Sequence, residues 1–309
     1  MTHKRSFMWR QARVLSLTEN MSFRGTDTES VEFKTFVDVV GDGSANILDN
    51  GMRSHQILIP DILLLPIPTM PSLCDFVFVE FPDILDHSLE SVGEYIRGRG
   101  IMCSTNDQVH EVNAIMHHRT PCHEFTYLST DAQVEDPTRR MGTVQVHHLN
   151  RFTPQGTPTH VLKLKIGTPV MLLRNHSPRA GHCNGTKYVV VAFYDNLIKI
   201  KTITGPAAGE VLPLHRFKFF TSMQETEIEF SRIQFPIRPC FGLTVHKAQG
   251  QSLQKVGISL MKECFTHGQL YVALSRSTTA SGLRIIRPLN ESGDVEYRTQ
   301  NIVWDEILN

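Results

Sequence analysis

The chain has 309 residues, and its 31 Lys plus Arg balance 31 Asp plus Glu, so the formal net charge is zero. A hydrophobic share of 40% excludes a disordered chain, and ordinary counts of 20 Gly and 16 Pro exclude collagen-like or low-complexity material. The length suits two domains, the scattered cysteines without a CxxC suit free thiols, and no apolar run approaches the roughly 18 residues of a membrane span.

Trp9 to Leu17 mixes apolar and basic residues, as a short helix running into a strand would. Residues 31–51 begin as an alternating or amphipathic segment and break at Gly41-Asp42-Gly43, where glycine favours a turn. The apolar segment 55–66 is interrupted by Pro60, and Pro66, Pro68 and Pro71 then force a loop. The acidic stretch 75–94 reads as solvated helix and loop. Ile101-Met102-Cys103 reads as a short buried strand, Thr105 or Asn106 as a helix cap, and Val109, Val112 and Met116 as one buried helical face. That strand–turn–helix is a repeating unit of α/β folds.

Residues 120–160 are polar and rich in His, Thr and Pro, and read as insertion or loop. From 161 to 220, β-rich runs separated by Gly, Asn-Gly and Gly-Pro turns predict a small β domain. A strand restarts at Ile233 to Pro236. Val256 to Met261 is a further buried strand, 267–277 is helical, and 282–288 closes with a strand. The expected organisation is an α/β domain made of 31–150 and 230–309, with 161–229 inserted as a β module.

Charge is uneven along this order. Residues 31–150 carry seven basic and seventeen acidic side chains, whereas 151–220 carry ten basic against only Asp195 and Glu210. Such a basic block attracts a phosphate backbone in a salt-dependent way, or else balances the acidic half within one fold. His117-His118, Cys122-His123 and His147-His148 lack zinc-finger or HExxH spacing, so no metal site is expected.

Two stretches carry chemistry. Thr244-Val245-His246-Lys247-Ala248-Gln249-Gly250-Gln251 gathers hydroxyl, imidazole, ammonium and amide groups around a glycine, a set that holds phosphate oxygens, or equally forms a polar cap between strands. In His267 to Arg276, Leu270, Ala273 and Leu274 share a helical face, and Arg276 ends the helix. A rigidly placed guanidinium stabilises charge on a transferring phosphoryl group; the plain alternative is a surface arginine.

The pair TVHKAQGQSL…HGQLYVALSR resembles motifs V and VI of superfamily 1B DNA helicases of the petite integration frequency type, especially those of Helitron transposons. LKIGTPVMLLRN…GHCNGTKYVV (164–191), IQFPIRPCFGLTVHKAQG, residues 41–64, IMCSTNDQVHEVNAIM and SFMWRQARVLSLTENM resemble further segments in the same order, so the likeness spans about 6 to 287. The resemblance implies the second RecA-like motor domain of a P-loop helicase with an inserted SH3-like β-barrel, residues 1–30 being a linker from the first motor domain. It implies ATP and Mg2+ as cofactors and single-stranded DNA or a duplex junction as partner. Arg276 would contact the γ-phosphate. Gln249, Gly250 and Gln251 would lie near ATP, and Thr244, His246 and Lys247 on the DNA backbone. Tyr271 and Gln269 would be positioning residues, with Lys187 and Arg174 of the insertion on phosphates of the exiting strand. The family implies 5′-to-3′ unwinding in DNA repair, recombination or telomere maintenance, in nucleus or mitochondrion.

The departures are as specific. The chain contains no Gly-Lys pair, hence no Walker A loop, and its only Asp-Glu pair is Asp305-Glu306, so no Walker B strand end is present. The family places both before the point where this chain begins, which points to a helicase without its first motor domain and inactive alone. The alternatives are a non-enzymatic single-stranded DNA-binding module or a degenerate transposon-derived fragment. Ser22 stands where members carry a second phosphate-contacting arginine, with Arg24 two residues on. Where members tend to read Pro-Arg-Ile, this chain has Leu214-His215-Arg216.

Overall fold

The structure, a computed structural model, describes residues 11, 13, 28–49, 52–79, 81, 89–134, 144–221 and 228–304. The expected helix and strand at 9–17 (apart from Gln11 and Arg13), Ser22 and Arg24 lie outside the described residues. The chain divides into two units: residues 1–79, 98–112 and 242–309, and residues 80–97 and 113–241.

The first unit is built on a four-stranded parallel sheet in the order Gly242–Thr244, Arg99–Cys103, Lys255–Ser259, Leu283–Ile286. Parallel strands are covered on both faces, which is why Ile101, Met102 and Cys103, or Val256 and Ile258, read as continuous apolar runs. One face packs Met102, Val256, Ile258, Leu283 and Ile285 with the helix Thr28–Gly41, through Phe33, Val37 and Val40, and with the helix Gln269–Leu274. The helix Met70–Val77, capped by a reciprocal Thr69–Ser72 box, packs against the strand Lys255–Ser259. Gly257 permits that contact, because a Cβ there would lie 2.9 Å from atoms of Leu73 and Val77. The segment expected as alternating or amphipathic at 31–51 is thus helical up to the predicted turn at Gly41, and Gly43 has φ 77°. A short strand Arg298–Gln300 pairs antiparallel with Gln56–Leu58.

The second unit is antiparallel. Its main sheet runs Val211–Leu214, Ile198–Thr202, Lys187–Phe193, Pro169–Leu172, Ile237–Pro239. Tyr188, Val190, Ile198, Ile200 and Ile237 fill one face, while Val189 faces Val92 and Ile96 of the helix Leu89–Arg97 on the other. A second sheet joins Phe217–Phe220, Phe230–Gln234 and Thr130–Gln133, and Phe125–Leu128 pairs with Val161–Leu164.

These pairings correct the reading of 120–160 as insertion or loop. The segment supplies two strands and the short helix Val146–Leu149 to the antiparallel unit. The division into units also falls elsewhere than at 150, 161 and 230: the helix Leu89–Arg97 packs on Val189, and Thr130–Gln133 and Phe230–Gln234 pair with each other in the antiparallel unit. Two buried polar links tie this polar stretch down. Arg232 and Asp131, both fully buried, meet at 2.6 Å. His160 Nδ1 lies 2.8 Å from Ser129 Oγ, which in turn donates to Asp131 at 2.7 Å. Since a carboxylate only accepts, the Ser129 proton goes to Asp131 and His160 donates through Nδ1.

Nearer the surface, Glu124 lies 2.7 Å from His117 Nε2 and 3.0 Å from Lys163 Nζ. The His117 bond, followed by that of Lys163, lowers its carboxyl pKa from 4.5 to about 2. A pKa depressed on folding contributes stability that is complete above about 4.5 and fades as pH falls toward 2. Acid titration of unfolding should therefore show wild type more stable than Glu124→Gln at neutral pH. The gap should narrow between pH 4.5 and 2; a pH-independent gap would contradict the assignment.

Candidate nucleotide-coupling site

Thr244 ends a parallel strand, opposite Cys103 at the end of its neighbour. Ligands of open α/β sheets gather beyond such carboxyl ends. The chain then makes a short 3-10 turn, Val245–Ala248, anchored by buried Val245 and Ala248. That anchoring leaves His246, Lys247, Gln249 and Gly250 exposed, with Thr244 and Gln251 half-buried. Gly250 has φ 80°, a left-handed conformation that a side chain would strain, and a Cβ there would meet nothing within 4 Å. The turn thus presents an imidazole, an ammonium and an amide beside an open stretch of backbone. Gln251 closes it, donating from Nε2 to the Lys247 carbonyl at 3.1 Å.

The helix Gln269–Leu274 packs on this turn. Buried Leu270, Ala273 and Leu274 fix its inner face, as the spacing predicts. Gln269, 2% exposed, accepts from the backbone N–H groups of Phe265 and Thr266 and from the Thr266 hydroxyl, fastening the helix start. The Tyr271 ring lies over Gly41, whose absent Cβ would come within 2.7 Å of it. At the same end, Gly268 N–H donates to Ile302 O at 3.0 Å and Trp304 N–H to His267 Nδ1 at 3.1 Å, with the His267 and Trp304 rings stacked.

Arg276 follows this helix, half-buried. Its Nε donates to Val272 O at 2.8 Å, Nη1 to Gln251 O at 3.0 Å and Nη2 to the Ser275 hydroxyl at 2.8 Å. A guanidinium has five N–H donors, so two remain for a ligand. The Nη1 bond joins the arginine directly to the 244–251 turn, and Leu253 N–H donates back to Arg276 O at 2.9 Å. Burial lowers the guanidinium pKa from its ordinary value, while Tyr271 raises it. The structure therefore brings Arg276, Gln249, Gly250 and Gln251 together, with Thr244, His246 and Lys247 on the same turn.

Lys187 is a correction. Expected on DNA phosphates, it is 2% exposed, because the helix Leu89–Arg97 covers the sheet face that its strand would otherwise show to water. Burial pushes its amine pKa down, and the neighbouring Cys240 thiol is pushed up to about 11 by the same cause. Arg174 is exposed, its guanidinium carbon 4.8 Å from the centre of the Phe219 ring. Residues that sequence reasoning passed over, Lys218 and Phe220, lie on that same strand, and the alternation of basic and aromatic side chains in 216–220 was the available signal.

As for cofactors, the half-buried Arg276 beside the open Gly250 backbone fits contact with a phosphate. Among the described residues no group of three or more His, Cys, Asp or Glu is placed to hold a metal ion. None of the described helices is long and apolar enough to cross a membrane.

Residues 147–193 match the family described as DNA helicase Pif1, 2B domain. The chain is 36% identical over 135 residues to ATP-dependent DNA helicase PIF1 of Danio rerio, covering 43% of this chain and 20% of that protein. It is 30% identical over 211 residues to the Xenopus laevis protein of the same name, covering 66% and 30%. A crystal structure of Pif1 helicase from Candida albicans matches with a TM-score of 0.56 at 23% identity, over 95% of this chain and 61% of that one. A structure of two coordinating Pif1 helicases unwinding forked dsDNA matches at 0.52 and 20% identity, over 89% and 50%. The matches thus span 20% to 30% of the length of these two curated relatives.

Proposed function

We propose that this chain, which resembles part of the Pif1-type helicases and shares their mixed α/β fold, forms the arginine-bearing wall of an ATP cleft and the DNA-gripping turn coupled to it. The complete activity is ATP-dependent 5′-to-3′ DNA unwinding. The chain by itself does not turn over ATP, since the phosphate-cradling loop and the magnesium ligands belong to a first motor domain. We read the five-stranded antiparallel sheet as the SH3-like inserted module, and the whole helicase as acting in nucleus or mitochondrion on single strands and duplex junctions. A role in repair, recombination or telomere maintenance, and carriage by a Helitron, are parts of the same proposal.

The observation that carries this reading is the 3.0 Å bond from Arg276 Nη1 to Gln251 O. ATP, when bound, would supply the phosphoryl group that passes to water, and Mg2+ would offset charge on its phosphates. Arg276 would hold the terminal phosphate through its two remaining N–H donors, and any shift of the guanidinium would pull on the 244–251 backbone. Lys247 and His246, exposed on that backbone, would then change their hold on DNA phosphates. This is a route from nucleotide state to DNA grip through one hydrogen bond.

A steady-state ATPase assay with and without single-stranded DNA tests the proposal. The expected result is no turnover above background in either condition. Turnover that Arg276→Ala abolishes would show a complete cleft and overturn the one-wall reading.

A further inference from the structure

Among the described residues the strand Phe217–Phe220 lies at the edge of its three-stranded sheet, paired on one side only, with Phe230–Gln234. Phe220 is 61% exposed, and Ile233, the cross-strand partner of Lys218, is 36% exposed. Every aromatic ring of the strand has a cationic or imidazole neighbour. Lys218 Nζ lies 5.2 Å from the Phe220 ring centre, the Arg174 guanidinium carbon 4.8 Å from that of Phe219, and the His176 ring 6.1 Å from Phe217. Among the described residues neither Arg174 nor Lys218 forms an ion pair. Because side chains alternate along a strand, Phe217 and Phe219 share one face, with His176 and Arg174 over them, while Lys218 and Phe220 share the other. A polyanion crossing the free edge therefore meets a cation on either side and an open ring.

We propose that this edge strand is a base-stacking platform for single-stranded nucleic acid, Phe220 taking a base on its open face and Lys218 and Arg174 the flanking phosphates. The inference rests on the DNA-binding reading above and adds to it the surface used and the way it is used. Charge selects this occupant: Arg174 and Lys218 are both exposed beside the rings and neither forms an ion pair among the described residues. Exposed aromatics beside unpaired cations are how sequence-tolerant single-strand binders work, since every base has a ring face to stack. Glu225, Glu227 and Glu229 follow closely in sequence and oppose a phosphate chain, so attraction is assigned to Arg174 and Lys218 rather than to the whole sheet.

The test is fluorescence anisotropy of a labelled oligo-dT with the full chain. A matched oligomer with abasic sites in place of the bases serves as control. Stacking of one base predicts that Phe220→Ala weakens binding to oligo-dT by about tenfold while leaving binding to the abasic strand unchanged. Arg174→Ala with Lys218→Ala should weaken both and lower the slope of log affinity against log salt by about 1.4, from roughly 0.7 per phosphate. All three side chains extend from the sheet surface, and circular dichroism checks that the variants fold.

If wild type binds oligo-dT but Phe220→Ala binds within twofold of it, the platform is overturned and the DNA-binding reading stands. If wild type binds neither strand, both fall. If Phe220→Ala instead turns a self-associating chain into a monomer without changing DNA affinity, the edge is a protein-pairing surface and the platform is likewise overturned.

Discussion

Arg276→Ala is expected to lower kcat for ATP by about 10³-fold or more once the cleft is completed by a first motor domain, supplied as a fusion or as a separate chain from a Pif1-type relative. Arginines that meet a transferring phosphoryl group contribute about 10³ to 10⁵ in rate. Arg276→Lys should rescue little. A lysine presents a single point charge and cannot keep the bonds to Val272 O, Gln251 O and Ser275 while also reaching a phosphate. Stopped-flow or steady-state ATPase measurements on the completed enzyme check this. A loss below tenfold in the alanine variant would place Arg276 among helix-capping residues, with its three protein bonds as its whole role.

Arg232→Met is expected to destabilise the antiparallel unit by about 3–5 kcal/mol, the range for breaking a buried ion pair by removing one partner. The size follows from how completely Arg232 is used. Nε and Nη2 bind Asp131 at 2.9 and 2.6 Å, Nη1 donates to Phe152 O and Pro158 O, and Nη2 also donates to Leu149 O. The variant leaves a fully buried carboxylate and three carbonyls to find other donors. Urea unfolding measures the loss. The double variant Arg232→Met with Asp131→Leu should recover part of it, because the orphaned charge goes too. A loss under about 1 kcal/mol would show that water reaches the pair.

Much of the parallel unit was legible in the sequence because its signals are local. Ile101-Met102-Cys103 followed by a polar turn and Val109, Val112 and Met116 names a strand and a helix without reference to anything distant, and both are present. So are the helix before Arg276 and the glycine-bearing turn at 250. The antiparallel unit hid what depends on partners. Phe125–Leu128 shows the burial order exposed, exposed, buried, exposed, which has no strand period; its pairing with Val161–Leu164 makes it a strand. The polar run 144–160 looked like loop because what anchors its carbonyls is Arg232, about eighty residues later.

Lys187 failed for a related reason. Charge counting treats every lysine as a surface group, and a strand reading lets alternate residues reach water. Its sheet is covered on both sides, so Lys187 and Val189 are as buried as Tyr188 and Val190. No pattern within 187–193 reports the covering helix, which comes from residues 89–97. The candidate site was legible in its residue types, while the bond that couples its two halves needs the fold: nothing in the spacing of Gln251 and Arg276 says that a carbonyl of one accepts from the other.

The backbone passes between the two units four times, at 79/80, 97/98, 112/113 and 241/242. The central parallel strand Arg99–Cys103 is thus flanked in sequence, before and after, by pieces of the antiparallel unit. No single scissor cut separates one unit as an unbroken stretch of gene. A recombination event that trades the β module for another must respect two breakpoints around 98–112 as well as the outer pair, or carry the middle of the parallel sheet away with it. Moving the antiparallel unit alone therefore takes four breakpoints, because a cut at the outer pair only would carry the strand Arg99–Cys103 away with it.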